Sequence, residues 1–159
     1  MDVTTDAKPR SGFIGLGLMG HGMAKNLVAK GFPLTVRVHR NRKPLEDILA
    51  AGAKEVSTNA DVARQSDVVI LCVTGTPQVE EVVADLLAGA RAGSLIVDMS
   101  TISPVVTREL AAIAKDQGVG YVDAPVSGGD VGAREATLSI MAGGSEEDFN
   151  RAKPLFEAL

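Results

Sequence analysis

Two short, uninterrupted apolar runs in the middle of the chain constrain its fold most strongly. They are "DVVILCV" (67–73) and "SLIVDMS" (94–100), and an amphipathic stretch of helical period follows each of them. A strand with one face in water alternates apolar and polar residues, whereas a continuous apolar run is typical of a strand buried on both faces. Such strands need helices on both sides of their sheet, so the two runs predict a parallel α/β sheet.

The same alternation of strand and helix continues along almost the whole chain. Further strands are predicted over 11–15, 33–39, 54–56, 120–125 and 137–143. Helices are predicted over 19–31, 44–52, 59–66, 77–89, 103–118 and 145–159, with Asn59 and Ser103 as capping residues. We therefore expect one Rossmann-like, doubly wound α/β domain over 11–159, with a mainly parallel sheet and helices on both faces. Residues 1–10 are polar and are expected to form a flexible tail.

A glycine motif joins the first predicted strand to the first predicted helix. Residues 15–20 fit the pattern G-x-G-x-x-G, and they are Gly15, Leu16, Gly17, Leu18, Met19 and Gly20. In a dinucleotide site the first glycine permits the tight turn, the second lets the backbone approach the pyrophosphate, and the third lets the helix pack on the strand. The N-terminus of the helix then presents free N–H groups to the phosphates. A tight turn without a ligand is the alternative that so short a motif leaves open.

The segment after the second strand predicts which dinucleotide is bound. An acidic residue there would hydrogen-bond a free ribose 2′-hydroxyl, whereas an arginine accommodates a 2′-phosphate. The segment "RVHRNRK" (37–43) holds no acidic residue, and its arginines form a local basic cluster. Because a guanidinium group suits a phosphate, we expect NADP in preference to NAD, with His39, Arg40, Asn41 and Arg42 as candidate contacts. A solvated basic loop without a ligand is the alternative.

Three segments, in order along the chain, resemble one enzyme family. They are "GFIGLGLMGHGMAKNL" (12–27), "VDMSTISP" (97–104) and "DAPVSGGDVGAREATLSIMAGG" (123–144). Each is similar to a block of the β-hydroxyacid dehydrogenase family, the group of 3-hydroxyisobutyrate dehydrogenase and tartronate semialdehyde reductase. The resemblance implies an oxidoreductase that transfers a hydride between its cofactor and a small β-hydroxy acid or semialdehyde.

The resemblance also implies roles for individual residues beside the cofactor. Val73 and Thr74, after the strand over 67–73, would lie along the cofactor. The family commonly has proline where this chain has Thr74, so the loop differs from the usual pattern. Thr101 would lie near the nicotinamide.

The third segment would bind the substrate. The resemblance assigns the substrate carboxylate to Ser127, Gly128 and Gly129, and a hydroxyl with exposed backbone N–H groups is suited to that anion. From the residues alone, this stretch is typical of an ordinary turn. Ala136 stands where the family usually has glycine.

The family's catalytic lysine is expected beyond Leu159. In the family it lies in a "GxxGxGxxxK" segment on a long helix, where it would protonate the carbonyl oxygen. None of the lysines of this chain stands in such a segment. The resemblance therefore implies that this chain is the cofactor-binding part, without the catalytic residue and without the C-terminal helical domain, of a protein that forms a homo-oligomer. A non-catalytic dinucleotide-binding module and an imine reductase-like enzyme are the alternatives.

Composition argues against several other classes of protein. The formal charge of −4 and the absence of tryptophan give no reason to expect nucleic acid as a partner. The single cysteine, Cys72, excludes an internal disulfide and fits a reducing compartment. His21 and His39 stand apart from other metal-ligating residues, so no metal site is predicted. Without an apolar run long enough for a membrane span, cytoplasmic placement is expected.

Overall fold

The structure, a computed structural model, describes residues 7–38 and 40–159. Within these residues it contains a six-stranded sheet and a separate two-stranded sheet. The strands of the large sheet are β1 (Ser11–Ile14), β2 (Leu34–Arg37), β3 (Lys54–Glu55), β4 (Val68–Leu71), β5 (Leu95–Asp98) and β6 (Gly120–Asp123). The small sheet consists of β7 (Val126–Ser127) and β8 (Ser139–Ile140). The helices are α1 (Leu18–Ala29), α2 (Leu45–Ala50), α3 (Asn59–Gln65), α4 (Thr76–Gly89), α5 (Pro104–Asp116), α6 (Gly129–Glu135) and α7 (Glu146–Phe156).

The large sheet has the strand order of a doubly wound fold. Its order is β3-β2-β1-β4-β5-β6, and every neighbouring pair is parallel. The chain therefore moves outward from β1 in one direction and then returns to continue from β4 in the other. The reversal leaves a crevice at the carboxyl ends of β1 and β4, which is where ligands bind in such sheets. The predicted Rossmann-like α/β fold is confirmed.

The two apolar runs that predicted the sheet form its central strands. Every residue of β4 and β5 is buried. Their side chains contribute to two apolar clusters, one containing Ile70 and Val97 and the other containing Val69 and Ile96. Because neighbouring strand residues enter different clusters, helices cover both faces of the sheet, as the pattern predicts.

Several predicted boundaries are wrong. Thr58, not Asn59, caps α3, since its Oγ1 accepts a hydrogen bond of 3.0 Å from the Asp61 N–H. Ser103 is the N-cap residue of α5 as predicted, but its side chain makes no capping hydrogen bond. The helix predicted over 145–159 ends at Phe156. Of the strand predicted over 137–143, only β8 forms, and it pairs antiparallel with β7 outside the large sheet.

Arg10, the last residue of the predicted flexible tail, is attached to the sheet. Arg10 donates to both carboxylate oxygens of Asp67, with Nη2–Oδ1 at 2.8 Å and Nε–Oδ2 at 3.1 Å. The carbonyl of Arg10 accepts hydrogen bonds from the N–H groups of Asp67 and Val68. These contacts fix the start of β1 beside β4. Among the described residues, no helix is both long and apolar enough to cross a membrane.

Candidate functional site

A cavity of about 570 Å³ opens at the crevice between the carboxyl ends of β1 and β4. Residues from β1, β2 and the loops after β1, β2 and β4, together with residues of α1, α3 and α4, form its walls. The whole glycine motif (15–20) lies on these walls, together with Arg40, Asn41, Val73 and Thr74. The fold thus brings the predicted phosphate loop and most of the predicted cofactor contacts to one cavity.

The start of α1 has the properties of an anion site. Gly17 precedes the helix without a side-chain capping bond, and the first turn contains no acidic residue. In α3 and α7, by contrast, the hydroxyls of Thr58 and Ser145 cap the first turn. A Cβ at Gly17 would have no atom within 4 Å, so the space beside this residue is open. Uncapped N–H groups next to open space suit a phosphate, and the residues present fit a dinucleotide.

The basic segment after β2 divides into residues on the cavity wall and residues turned to other partners. Arg40 and Asn41 line the cavity. Arg42 instead forms a bidentate ion pair with Glu55 on β3, with Nη1–Oε1 at 2.6 Å and Nη2–Oε2 at 2.9 Å. This pairing lowers the pKa of the Glu55 carboxyl. His39, the remaining candidate on this segment, lies outside the described residues.

Arg37 and Asn59 also line the cavity, and sequence reasoning missed both. Arg37 is the last residue of β2, where it donates from Nε to the Ser57 carbonyl at 3.0 Å and from Nη1 to Asn59 Oδ1 at 3.2 Å. Asn59 in turn donates to Asp85 at 3.1 Å. The spacing could have found Arg37, because the ribose-reading residue of this fold stands about 20 residues after the glycine motif.

The other side of the cavity is formed by the loop after β4. Cys72 lines the cavity beside Val73 and Thr74 and is half-buried. Burial, with a smaller contribution from the nearby Asp98 charge, raises the pKa of the Cys72 thiol to about 11. A thiol that stays protonated is not a nucleophile at neutral pH. Thr101 is exposed in the loop after β5 and is not among the described residues of the cavity wall.

The predicted carboxylate turn lies outside this cavity, on the element that packs against α1. Ser127, Gly128 and Gly129 are exposed where β7 ends and α6 begins. A Cβ at Gly22 of α1 would lie only 2.9 Å from the carbonyl carbon of Ala133, so the backbones of α1 and α6 nearly touch. One helix therefore supports both the glycine motif and the predicted carboxylate turn.

Two side chains of α1, the helix of the glycine motif, contact one carboxylate of α2. His21 is not on the cavity wall as described, and its Nε2 lies 2.9 Å from Asp47 Oδ1. Lys25 contacts the other oxygen of Asp47 at 3.0 Å. Among the residues that the structure describes, no group of three potential metal ligands comes together.

A comparison of this sequence with known proteins agrees with the cavity, its glycine loop and the strand order. The family described as the NAD binding domain of 6-phosphogluconate dehydrogenase matches residues 10–159. The chain belongs to this family. The 2-hydroxy-3-oxopropionate reductase of Escherichia coli is similar to this NAD-binding domain, at 49% identity over 152 residues, with 93% of this chain and 51% of the reductase covered. The chain thus spans about half the length of the relatives that it matches.

Solved structures give the same result. The 3-hydroxyisobutyrate dehydrogenase of Mycobacterium tuberculosis, solved with L-serine, superimposes with a TM-score of 0.89 at 36% identity, covering 95% of this chain and 52% of that one. The predicted resemblance to the group of 3-hydroxyisobutyrate dehydrogenase is confirmed. An imine reductase from Myxococcus stipitatus, in complex with NADP⁺, has a TM-score of 0.84 at 23% identity and covers 95% of this chain and 52% of its own. That likeness shows the fold alone.

Proposed function

We propose that this NAD-binding domain binds NADP in preference to NAD. We propose further that it serves an oxidoreductase which transfers a hydride between the cofactor and a small β-hydroxy acid or semialdehyde. The observation that carries the proposal is the cavity itself, in which an uncapped helix start meets a basic side chain, Arg40, that has no partner among the described residues. The 49% identity with 2-hydroxy-3-oxopropionate reductase supports the substrate class.

The glycine motif would hold the pyrophosphate. The free N–H groups of the first turn of α1 would donate to phosphate oxygens, and the partial positive charge of a helix N-terminus favours that anion. Gly17 leaves the backbone accessible, because nothing occupies the position of its absent Cβ. The bound nicotinamide would supply the hydride.

Arg40 would contact the ribose 2′-phosphate. It lies on the cavity wall, and no hydrogen bond or ion pair occupies its guanidinium among the described contacts. Arg37 is already bonded to Ser57 and Asn59, and Arg42 is bonded to Glu55. A guanidinium without other partners gains most from a phosphate, so Arg40 is the residue on which the preference for NADP depends.

The substrate would lie next to the nicotinamide half of the cofactor. Ser127, Gly128 and Gly129 would bind its carboxylate, and Thr101 would lie beside the nicotinamide. The lysine that protonates the carbonyl oxygen would come from the part of the family's fold that follows the NAD-binding domain. Binding and orientation of the cofactor are therefore the part of the reaction assigned to this chain.

Calorimetric titration of the chain with NADP⁺ and NAD⁺ tests the proposal. We expect NADP⁺ to bind tenfold or more tightly, about 1.4 kcal/mol. Arg40→Ala should remove most of that difference by weakening NADP⁺ and leaving NAD⁺ unchanged. Lys43→Ala is the matched control, since Lys43 is an exposed cation of the same segment that is not on the described cavity wall.

The titrations can contradict either the role of Arg40 or the cofactor site as a whole. Equal affinities for the two dinucleotides, or equal losses in both arginine and lysine variants, would contradict the role of Arg40. If neither dinucleotide binds, the cavity is not a cofactor site in this chain, and the proposal fails as a whole.

A further inference from the structure

A chain of hydrogen bonds joins the loops that follow β4 and β5. The N–H of Val73 donates to Ser100 Oγ at 2.9 Å. The N–H of Ser100 donates to Asp98 Oδ1 at 2.9 Å. The second oxygen of that carboxylate accepts a hydrogen bond of 3.1 Å from the hydroxyl of Tyr121 on β6. Three neighbouring strands thus contribute to one connected network, which is called the Asp98 relay below.

The Asp98 relay lies in the interior of the protein. Asp98 is fully buried, and Ser100 and Tyr121 are 2% and 7% exposed. Burial raises the pKa of Asp98, and the hydrogen bonds from Ser100 and Tyr121 act in the opposite direction. Apolar side chains would stabilise this position at lower cost, because burying a carboxylate is unfavourable even when it is hydrogen-bonded. The carboxylate must therefore be explained by what it holds in place.

The relay holds the cavity wall on one side. Val73 lies on that wall, and its N–H is directed by Ser100. The Ser103 N–H donates a second hydrogen bond, of 3.2 Å, to Thr76 Oγ1. This bond joins the same two loops again, at the points where they lead into α5 and α4. Thr101 lies between these two attachments along the chain. The loop after β4 is thus fixed to the loop after β5, which carries Thr101, the residue assigned to the nicotinamide.

The opposite side of the cavity is beyond the reach of the relay. In the sheet order, β1 and β4 separate β5 from β2, which leads to Arg40. At about 4.8 Å per strand, β2 and β5 are roughly 14 Å apart. A change in the relay should therefore weaken binding of the nicotinamide half of a dinucleotide and leave binding of the adenosine half unchanged.

We propose that Asp98 and Ser100 are positioning residues for the nicotinamide half of the cofactor. The proposal rests on the proposed function, since it needs a dinucleotide in the cavity. It assigns to the buried carboxylate the task of fixing Ser100, and to Ser100 the task of fixing the backbone at Val73. The adenosine half is held by other residues and is independent of the relay.

Comparison of a whole dinucleotide with its nicotinamide-free part tests the relay. Ser100→Ala removes the oxygen that accepts from the Val73 N–H. We expect its affinity for NADP⁺ to fall roughly three- to tenfold, the range for one lost hydrogen bond. Its affinity for 2′-phospho-ADP-ribose, which lacks the nicotinamide, should stay within about twofold of the unmodified chain. Calorimetry measures both; NAD⁺ and ADP-ribose replace the pair if NAD⁺ is the tighter ligand.

Ser94→Ala is the matched control for this experiment. Ser94 is buried like Ser100, but it directly precedes β5, at the amino end of that strand and away from the cavity. Both affinities should be unchanged in this variant. Tyr121→Phe provides a milder change, because it removes one donor from Asp98 and retains the ring; a smaller loss confined to NADP⁺ is expected.

Two results of these affinity measurements would overturn the positioning role of Ser100. A loss shared equally by both ligands would show that Ser100 only supports the fold, and it would overturn the positioning role. Unchanged NADP⁺ affinity in both Ser100→Ala and Tyr121→Phe would also overturn it. If the unmodified chain binds no dinucleotide, the proposed function fails first, and that result is seen before any variant is measured.

Discussion

The chain contains two glycine-rich turns, and each uses glycine for a different physical reason. In the turn after β1, a Cβ at Gly20 would lie 1.7 Å from the Gly15 carbonyl oxygen, and a Cβ at Gly15 would lie 2.0 Å from that of Cys72. In the turn before α6, a Cβ at Gly129 would meet no atom within 4 Å, but its φ is +64°. The first turn needs glycine mainly for space, although Gly15 also has a φ of +100°, and the second needs it mainly for backbone conformation.

This difference predicts different tolerance to substitution. A clash with backbone atoms cannot be relieved by a rotamer change, so the first turn must keep glycine or move. A left-handed conformation costs other residues roughly 1–2 kcal/mol but leaves their side chains free to enter solvent. The first turn is accordingly determined mainly by steric contact, whereas the second is exposed and determined mainly by backbone preference.

Gly20→Ala should have a large effect on stability, because its methyl would make the shortest contact of any methyl added in the two turns. The added methyl would overlap the Gly15 carbonyl oxygen, so α1 must shift away from β1. We expect a loss of about 3 kcal/mol or more in the free energy of unfolding, together with loss of dinucleotide binding. Urea denaturation followed by circular dichroism measures the first. A loss below about 1 kcal/mol would show that the loop is more adaptable than its contacts indicate.

Gly17→Ala should separate binding from stability in the same turn. The backbone of Gly17 is extended, at φ −76° and ψ −161°, and its Cβ position is empty. The free energy of unfolding should therefore change by less than about 0.5 kcal/mol. Dinucleotide affinity should fall about tenfold, because the methyl would enter the space assigned to the pyrophosphate. Unchanged affinity in a titration would place the phosphates elsewhere.

The contrast between the two turns also explains what could be predicted from the sequence. The glycine motif, preceded by an apolar run and followed by a helical pattern, has physical reasons at each position and predicts the first turn. The second turn was suggested only by family resemblance. Neither the two-residue β7 nor the seven-residue α6, which contains Gly132, has a periodic signal of its own. α6 forms because it packs on α1, and β7 forms because it pairs with β8.

The ion pair of Arg42 illustrates a second limit of the sequence. Arg42 and Glu55 are 13 residues apart, and they meet because β3 pairs with β2 in a register that places Val36 opposite Glu55. Nothing local in the sequence fixes that register, so Arg42 could not be distinguished from Arg40 in advance. The Asp98 relay has the same origin, since Asp98 and Tyr121 are adjacent only through the pairing of β5 with β6.

The ends of the two helices that follow the turns allow a matched test of conformation. Shortly after α1 ends, Gly31 has a φ of +84°, whereas Ala136, directly after α6, has φ +56° and ψ +45°. Ala136→Gly should raise the free energy of unfolding by about 0.5–1 kcal/mol, because it relieves a left-handed alanine but adds freedom to the unfolded chain. Gly31→Ala should lower it by a similar amount. Opposite shifts of a few degrees in the thermal midpoint are expected, and equal signs would refute the conformational account.

The weakest predicted effect concerns the contact of the first turn's helix with α2. The carboxylate of Asp47 on α2 lies 2.9 Å from His21 and 3.0 Å from Lys25, both on α1. The hydrogen bond from His21, aided by Lys25, lowers the pKa of Asp47 from 3.8 to about 2. A lowered pKa in the folded state means that the carboxylate stabilises the protein above about pH 4 and that this stabilisation is lost as the pH falls toward 2.

Asp47→Asn should therefore be less stable than the unmodified chain at neutral pH, and the difference should shrink below about pH 4. Because the side chain of Asp47 is 44% exposed, solvent screening limits the difference to about 0.5–1 kcal/mol. Urea denaturation of both proteins at several pH values measures it. By contrast, Asn26 of α1 donates to the Ala133 carbonyl of α6 at 2.7 Å without any titratable group. Asn26→Ala should accordingly cost stability equally at neutral and acidic pH. A pH-independent difference for Asp47→Asn would mean that α2, like α6, is held to α1 by uncharged contacts.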